Sequence, residues 1–125
     1  MGLKQKITRF EDMTVWQESQ DLAVVIYKLS INFPKEELYG LTSQVRRAAS
    51  SVSANIAEGF GRSTTKDTAH FYHIARGSLL ETKNFIYLAG RLKFVDQKQS
   101  DNTIQSIESI NSQITAILKY FGSHG

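Results

Sequence analysis

Val15, Ser19, Leu22, Ile26, Leu29 and Phe33 recur at alternating steps of four and three, the spacing that keeps one stripe of a helix facing a partner. This predicts a first helix over about 13–33. Pro34 pushes the residue before it out of the α region, so the helix is expected to end near Phe33, with a connection over 34–40. Leu41, Val45, Ala48, Val52, Ile56 and Gly59 share one face of a second helix over about 40–60, and Gly59-Phe60-Gly61 suits a left-handed turn that would close it. Ser63 or Thr64 is placed to cap a third helix over about 65–93. That segment carries Tyr72, Ala75, Leu79, Ile86 and Ala89 beside a second row of Phe71, Ile74, Phe85, Leu88 and Leu92, an apolar arc wide enough to call for more than one neighbour. After a polar stretch from Asp96 to Asn102, a fourth helix over about 102–121 repeats Ile104, Ile107, Asn111, Ile114, Leu118 and Phe121, and Gly122 to Gly125 reads as a frayed tail. No strand-like alternation is bounded by hairpin turns. The pattern predicts one all-α domain over 1–125, an antiparallel up-and-down four-helix bundle.

At 125 residues the chain fits a single domain, and its 41% hydrophobic and 22% charged residues are those of an ordinary globular protein. Cysteine is absent, which excludes disulfides, thiolate metal sites and cysteine nucleophiles. No run approaches the ~18 apolar residues of a membrane span. The first residues lack an apolar export segment, and Lys6 breaks the myristoylation pattern, so a cytoplasmic location is expected. The net charge of +3 is unevenly placed: residues 1–40 sum to −1, residues 41–95 to +5 and residues 96–125 to −1. The middle of the chain carries the positive field, which permits a polyanionic partner.

Catalytic chemistry is hard to place. No Glu has a His three residues on, the spacing by which bundles hold paired metals. His70 and His73 lie three apart, but no carboxylate completes an obvious ligand set. Ser50, Ser51 and Ser53 are not on a strand-to-helix elbow. Gly59-Phe60-Gly61-Arg62 lacks the preceding strand and the Gly-Lys-Ser/Thr of a phosphate loop. The sequence therefore predicts no enzyme, no metal and no cofactor.

Two helix faces carry more. At 100° per residue Arg47, Ser51, Ala54 and Glu58 line up on the second helix opposite Val45, Val52 and Ile56, with small residues between opposite charges. With Asn55 at its edge, expected to bond across helices, this stripe fits a subunit contact or a solvated face. Glu58 and Arg62 have the favourable i, i+4 orientation of a helix ion pair. On the third helix Lys66, His73, Arg76, Lys83, Tyr87 and Arg91 fall within about a third of the circumference, leaving Asp67 and Glu81 outside. Such a strip suits a nucleic-acid backbone, cations to phosphates and an aromatic ring to a base, or simply faces water.

Several blocks resemble the four-helix family of 23S rRNA intervening-sequence proteins. They are Phe10-Glu11-Asp12-Met13-Thr14-Val15-Trp16-Gln17, Phe33-Pro34-Lys35-Glu36-Glu37, and Tyr39-Gly40-Leu41 through Val45-Arg46-Arg47-Ala48-Ala49. The most specific is Asn55-Ile56-Ala57-Glu58-Gly59-Phe60-Gly61-Arg62, followed by Gly77-Ser78-Leu79 with Glu81. The match runs from about Phe10 to Leu92. Ser53 stands where relatives often carry proline, so no fixed kink is implied there. The resemblance implies a small bundle that assembles into a ring-like homopentamer, similar in architecture to the RNA-binding accessory proteins of diversity-generating retroelements. The function expected from strip and resemblance together is a non-enzymatic oligomeric scaffold that binds RNA or a ribonucleoprotein. Arg46, Arg47, Arg62, Lys66, Arg76, Lys83 and Arg91 would contact phosphates, and Arg47, Ser51, Ala54, Asn55 and Glu58 would form the subunit contact. The alternative is a protein–protein adaptor with no nucleic-acid ligand.

Overall fold

A computed structural model describes residues 6–124, which form four α-helices joined by short connections: α1 (Thr14–Ser30), α2 (Leu41–Phe60), α3 (Thr65–Arg91) and α4 (Gln97–His124). Short 3₁₀ turns precede α1 (Phe10–Asp12) and α2 (Lys35–Glu37), and the described residues contain no strand. Each helix packs antiparallel on the next and α4 closes back on α1, so α1 stands diagonally across the core from α3, and α2 from α4. The fold is the expected all-α up-and-down bundle. No helix among the described residues is long and apolar enough to cross a membrane.

The core is built from the predicted stripes. Leu22 and Ile26 of α1, Val45, Val52 and Ile56 of α2, Tyr72, Leu79 and Ile86 of α3, and Ile107, Ile110 and Ile114 of α4 are fully buried. On α4 the inward row includes Ile110. Asn111, expected in that row, is only half-buried, and its Oδ1 has no hydrogen-bond partner among the described groups. Rings close both ends of the bundle: Phe10 meets Trp16 (5.2 Å) and Phe60 (6.4 Å) edge-on at one, and Phe33 meets Phe94 (5.4 Å) at the other. Burial pushes the Tyr72 phenol up to about 12, and its hydroxyl donates to Met13 Sδ at 3.7 Å. The α1–α4 seam is joined at the surface by Glu18, whose Oε1 accepts from Ser109 Oγ (3.0 Å) and Gln113 Nε2 (2.9 Å).

The helix ends depart from the sequence reading for identifiable reasons. The first helix stops at Ser30, whose hydroxyl turns back to Ile26 O at 2.7 Å, and Phe33 leaves the helix to plug the bundle end. The fourth begins at Gln97, well before 102, because Asp96 and Gln99 cap it reciprocally. Gln99 N donates to Asp96 Oδ1 (2.7 Å) and Asp96 N to Gln99 Oε1 (2.9 Å), a capping box. It continues through Gly122 to His124, so the expected tail is helical there; Gly125 lies outside the described residues. Of the two candidate caps for α3, Thr64 is the one used, its hydroxyl accepting from Asp67 N at 3.1 Å.

No left-handed turn ends α2, since Gly61 has φ −81°. Gly59 has a different task. A Cβ there would lie 3.0 Å from Phe71 Cβ, 3.2 Å from Thr68 O and 3.3 Å from Tyr72 Cδ1, and Thr68 Oγ1 donates to Gly59 O at 3.0 Å. The missing side chain lets α2 and α3 touch. The left-handed residue is Lys93, at φ 66° after α3: Phe94 N donates to Ala89 O (2.9 Å) and Lys93 N to Gly90 O (3.1 Å), a Schellman motif.

Three substitutions test this account by urea denaturation. Gly59→Ala is expected to destabilise by about 1–2 kcal/mol, because overpacking against Cβ and main-chain atoms outweighs the helix propensity alanine gains. Gly77→Ala, whose new Cβ meets nothing within 4 Å, is expected to stabilise by about 0.5–1 kcal/mol. Lys93→Gly is expected to stabilise by about 1 kcal/mol by relieving the left-handed backbone of a residue with a Cβ.

Candidate nucleic-acid interface

The seven predicted phosphate-binding cations lie on three sides of the bundle. Arg46 belongs to the α1–α2 side: its Nε donates to Ser30 Oγ at 2.7 Å and its guanidinium lies over the Tyr27 ring at 4.8 Å. Arg47 is exposed in a cleft between α2 and α3. Arg62, just past α2, pairs with Glu58 and lies over Phe71 at 4.5 Å, so its guanidinium is already engaged by a carboxylate and an aromatic ring.

The other four are on α3. Lys66 and Arg91 are exposed near its two ends, with His73, Leu80 and Tyr87 exposed between them. Arg76 and Lys83 lean toward α4. Arg76 Nη1 donates to Thr115 Oγ1 at 3.5 Å, a neutral partner that leaves its charge uncompensated, whereas Lys83 forms an ion pair with Glu108. Hydrogen bonding to that carboxylate raises the Lys83 pKa above the ordinary lysine value, so the ammonium persists but its field is largely cancelled. Around Arg91 the surroundings are mixed, since Lys93, Asp96 and Asp101 line the same cleft. The α3 cations that no described carboxylate pairs with are therefore Lys66, Arg76 and Arg91, and His73 and Tyr87 are exposed between Lys66 and Arg91.

Glu108 and Thr115 could not be paired with Lys83 and Arg76 by reading α3 alone. The two pairs are equidistant from the α3–α4 turn, so antiparallel arithmetic about the correct turn, the one the Asp96–Gln99 cap marks, would have found them.

The stripe predicted as a subunit contact is partly spent inside the protomer. Ser51 is half-buried and accepts from Ser78 Oγ of α3 at 3.0 Å. Asn55, expected to cross between helices, instead donates within α2, to Ser51 O (2.8 Å) and Ser51 Oγ (2.9 Å), and the crossing is made by Ser51 and Ser78. Arg47, Ala54 and Glu58 remain exposed. An uncovered apolar surface lies along α1 and its C-cap, where Val24, Tyr27 and Ile31 border a groove with Arg46. Ser53 accepts from Gln20 Nε2 at 3.0 Å, with α2 unbroken through it.

Among the described residues, no group of three or more His, Asp or Glu side chains is arranged to hold a metal ion. His70 and His73 are both exposed, and the His70 ring stands edge-on to Phe71 at 5.4 Å.

No curated protein matches this chain. A solved structure from Bacteroides thetaiotaomicron VPI-5482, described as a protein of unknown function from the S23 ribosomal protein family, is similar in fold, with a TM-score of 0.77 and 25% sequence identity over 85% of this chain and 99% of that one. Its description names no enzymatic activity. The family model for the 23S rRNA-intervening sequence protein matches residues 11–116. These residues span the helices that form the core, and the chain belongs to the 23S rRNA-intervening sequence protein family.

Proposed function

We propose that this protein is a non-enzymatic, cytoplasmic scaffold that binds RNA through the outward face of α3 and does so as an oligomer, a ring of five copies by family resemblance. The observation that carries the reading is the position of the α3 cations that have no ion pair among the described residues. Lys66, Arg76 and Arg91 accompany His73 and Tyr87 along a helix about 40 Å long, on the side of the bundle diagonal to α1. Cations spaced along a rod neutralise phosphates, and an exposed tyrosine between them offers a stacking surface. The uncovered Val24, Tyr27 and Ile31 lie on α1, so copies that bury this surface would leave the α3 face open. Several copies of a modest patch would then act together, and avidity would multiply a weak protomer affinity.

The apolar groove on α1 also favours a second reading, a protein adaptor with no nucleic-acid ligand. Copurification before and after nuclease treatment separates the two: an RNA scaffold loses its partners with the RNA, and an adaptor keeps them.

The direct test is fluorescence anisotropy with single-stranded RNA across a salt series. Binding is expected to weaken steeply with salt, and a Lys66→Ala, Arg76→Ala, Arg91→Ala variant to reduce the log–log slope by about 2, at ~0.7 per phosphate contact. Lys83→Ala is expected to change the slope little, because Glu108 already compensates that charge. Absence of binding at low salt would overturn the reading. Solution mass checks the assembly, with a monomer at micromolar concentration as the contrary result.

A further inference from the structure

A surface cleft of about 400 Å³ lies along the line where α2 meets α3, within the ~300–1,000 Å³ of small-molecule sites. Its floor is polar and fixed, since the Ser51 hydroxyl accepts from both Ser78 Oγ and Asn55 Nδ2. Three side chains around it are unusual. Tyr39, in the turn leading into α2, is 93% exposed, so its ring lies against nothing in the protomer. Arg47 and Glu81 carry opposite charges into the same cleft, yet no ion pair joins them to each other or to any other described residue. Two unmatched charges facing one space, beside an uncovered ring, suit a flat polar ligand with an anionic group and hydrogen-bond donors on one edge.

We propose that this cleft seats an unstacked guanine nucleotide of single-stranded RNA, with Tyr39 against the base, Glu81 on its Watson–Crick edge and Arg47 on its phosphate. This inference rests on the RNA-binding reading and adds base selectivity to it. An ionised carboxylate only accepts hydrogen bonds, and guanine presents two adjacent donors, N1–H and the N2 amino group, that match its two oxygens. Adenine and cytosine place an acceptor nitrogen beside their amino group, and the N3–H of uracil is flanked by two carbonyls, so each sets a lone pair against Glu81. The guanidinium of Arg47 supplies the fork that fits a phosphate. Tyrosine stacks on any base and so contributes affinity without choosing among them.

The test compares labelled 5′-UUGUU-3′, 5′-UUAUU-3′ and 5′-UUUUU-3′ by anisotropy at about 50 mM salt, where phosphate contacts are strong. The guanine oligonucleotide is expected to bind about tenfold more tightly than the other two, within the range a two-bond base contact provides. Glu81→Gln should abolish that preference, weakening the guanine oligonucleotide and tightening the uridine one, because the amide no longer sets an anion against the uracil carbonyls. Tyr39→Ala should weaken binding of the guanine oligonucleotide about tenfold, the loss of one stacked base, and Tyr39→Phe should restore it. Both positions are exposed, and circular dichroism checks that each variant keeps the helical fold. Equal affinity for the three oligonucleotides with a steep salt dependence would overturn the guanine seat and leave the α3 reading standing. No binding of any of them would overturn both. A fall in solution mass in Arg47→Glu, together with no base preference, would show that a second copy occupies the cleft, and would also overturn the proposal.

Discussion

Two helices meet at Gly59 with no room for a methyl group, and much of the bundle depends on that contact. Because α2 and α3 touch there, Thr68 can hold the last turn of α2, Tyr72 can enter the core beneath Met13, and Phe71 is placed under the guanidinium of Arg62. The same approach carries along the pair to Ser51 and Ser78, whose hydroxyls bond directly. A wider separation here would remove the serine bridge and the polar floor above it. The close packing therefore links a backbone requirement to the shape of the cleft in which Tyr39, Arg47 and Glu81 stand.

The fold was legible in the sequence because its stripes repeat over many turns, as with Val45, Val52 and Ile56 or Tyr72, Leu79 and Ile86. The ends were less so, for physical reasons that differ. At Asp96 the cap signal is present as Asp-Gln-Lys-Gln, but its polarity reads equally as a loop until the two side chains are seen to satisfy each other's backbone. At Gly59 and Gly61 the residue type suited a left-handed turn, yet conformational freedom and missing bulk are two different uses of glycine, and bulk decided here. The left-handed position fell to Lys93, which no residue preference would single out. At Asn111, heptad arithmetic carried an amide into a row that Ile110 fills instead.

The candidate site was legible only as far as one helix at a time allows. Angular counting placed Lys66, Arg76, Lys83 and Arg91 on one arc of the third helix, but it says nothing of what a neighbouring helix brings opposite them. Glu108 removes one cation from the strip, Ser30 and Tyr27 draw Arg46 to another side, and Glu58 with Phe71 engages Arg62. Conversely, Glu81 was placed outside the basic arc and given no role, although the structure puts it in a cleft with an arginine and a tyrosine from elsewhere in the chain. Electrostatic character in a bundle is a property of pairs of helices, with helix-wheel position only its first approximation.

The seam between the first and last helices differs from the rest in how it is joined. Glu18 serves both Ser109 and Gln113 at the surface, and these partners lie far apart in sequence, whereas the other seams join neighbours along the chain. Closing it confines nearly the whole polypeptide in one loop, and its polar groups have water as a ready substitute. The bundle thus has a weakest side built into its topology, at which partial unfolding would begin by swinging α1 or α4 away from a still-paired α2–α3 hairpin. Amide protons on the outer helices would exchange with solvent ahead of those around Leu79 and Ile56, giving the molecule a hierarchy of local stabilities.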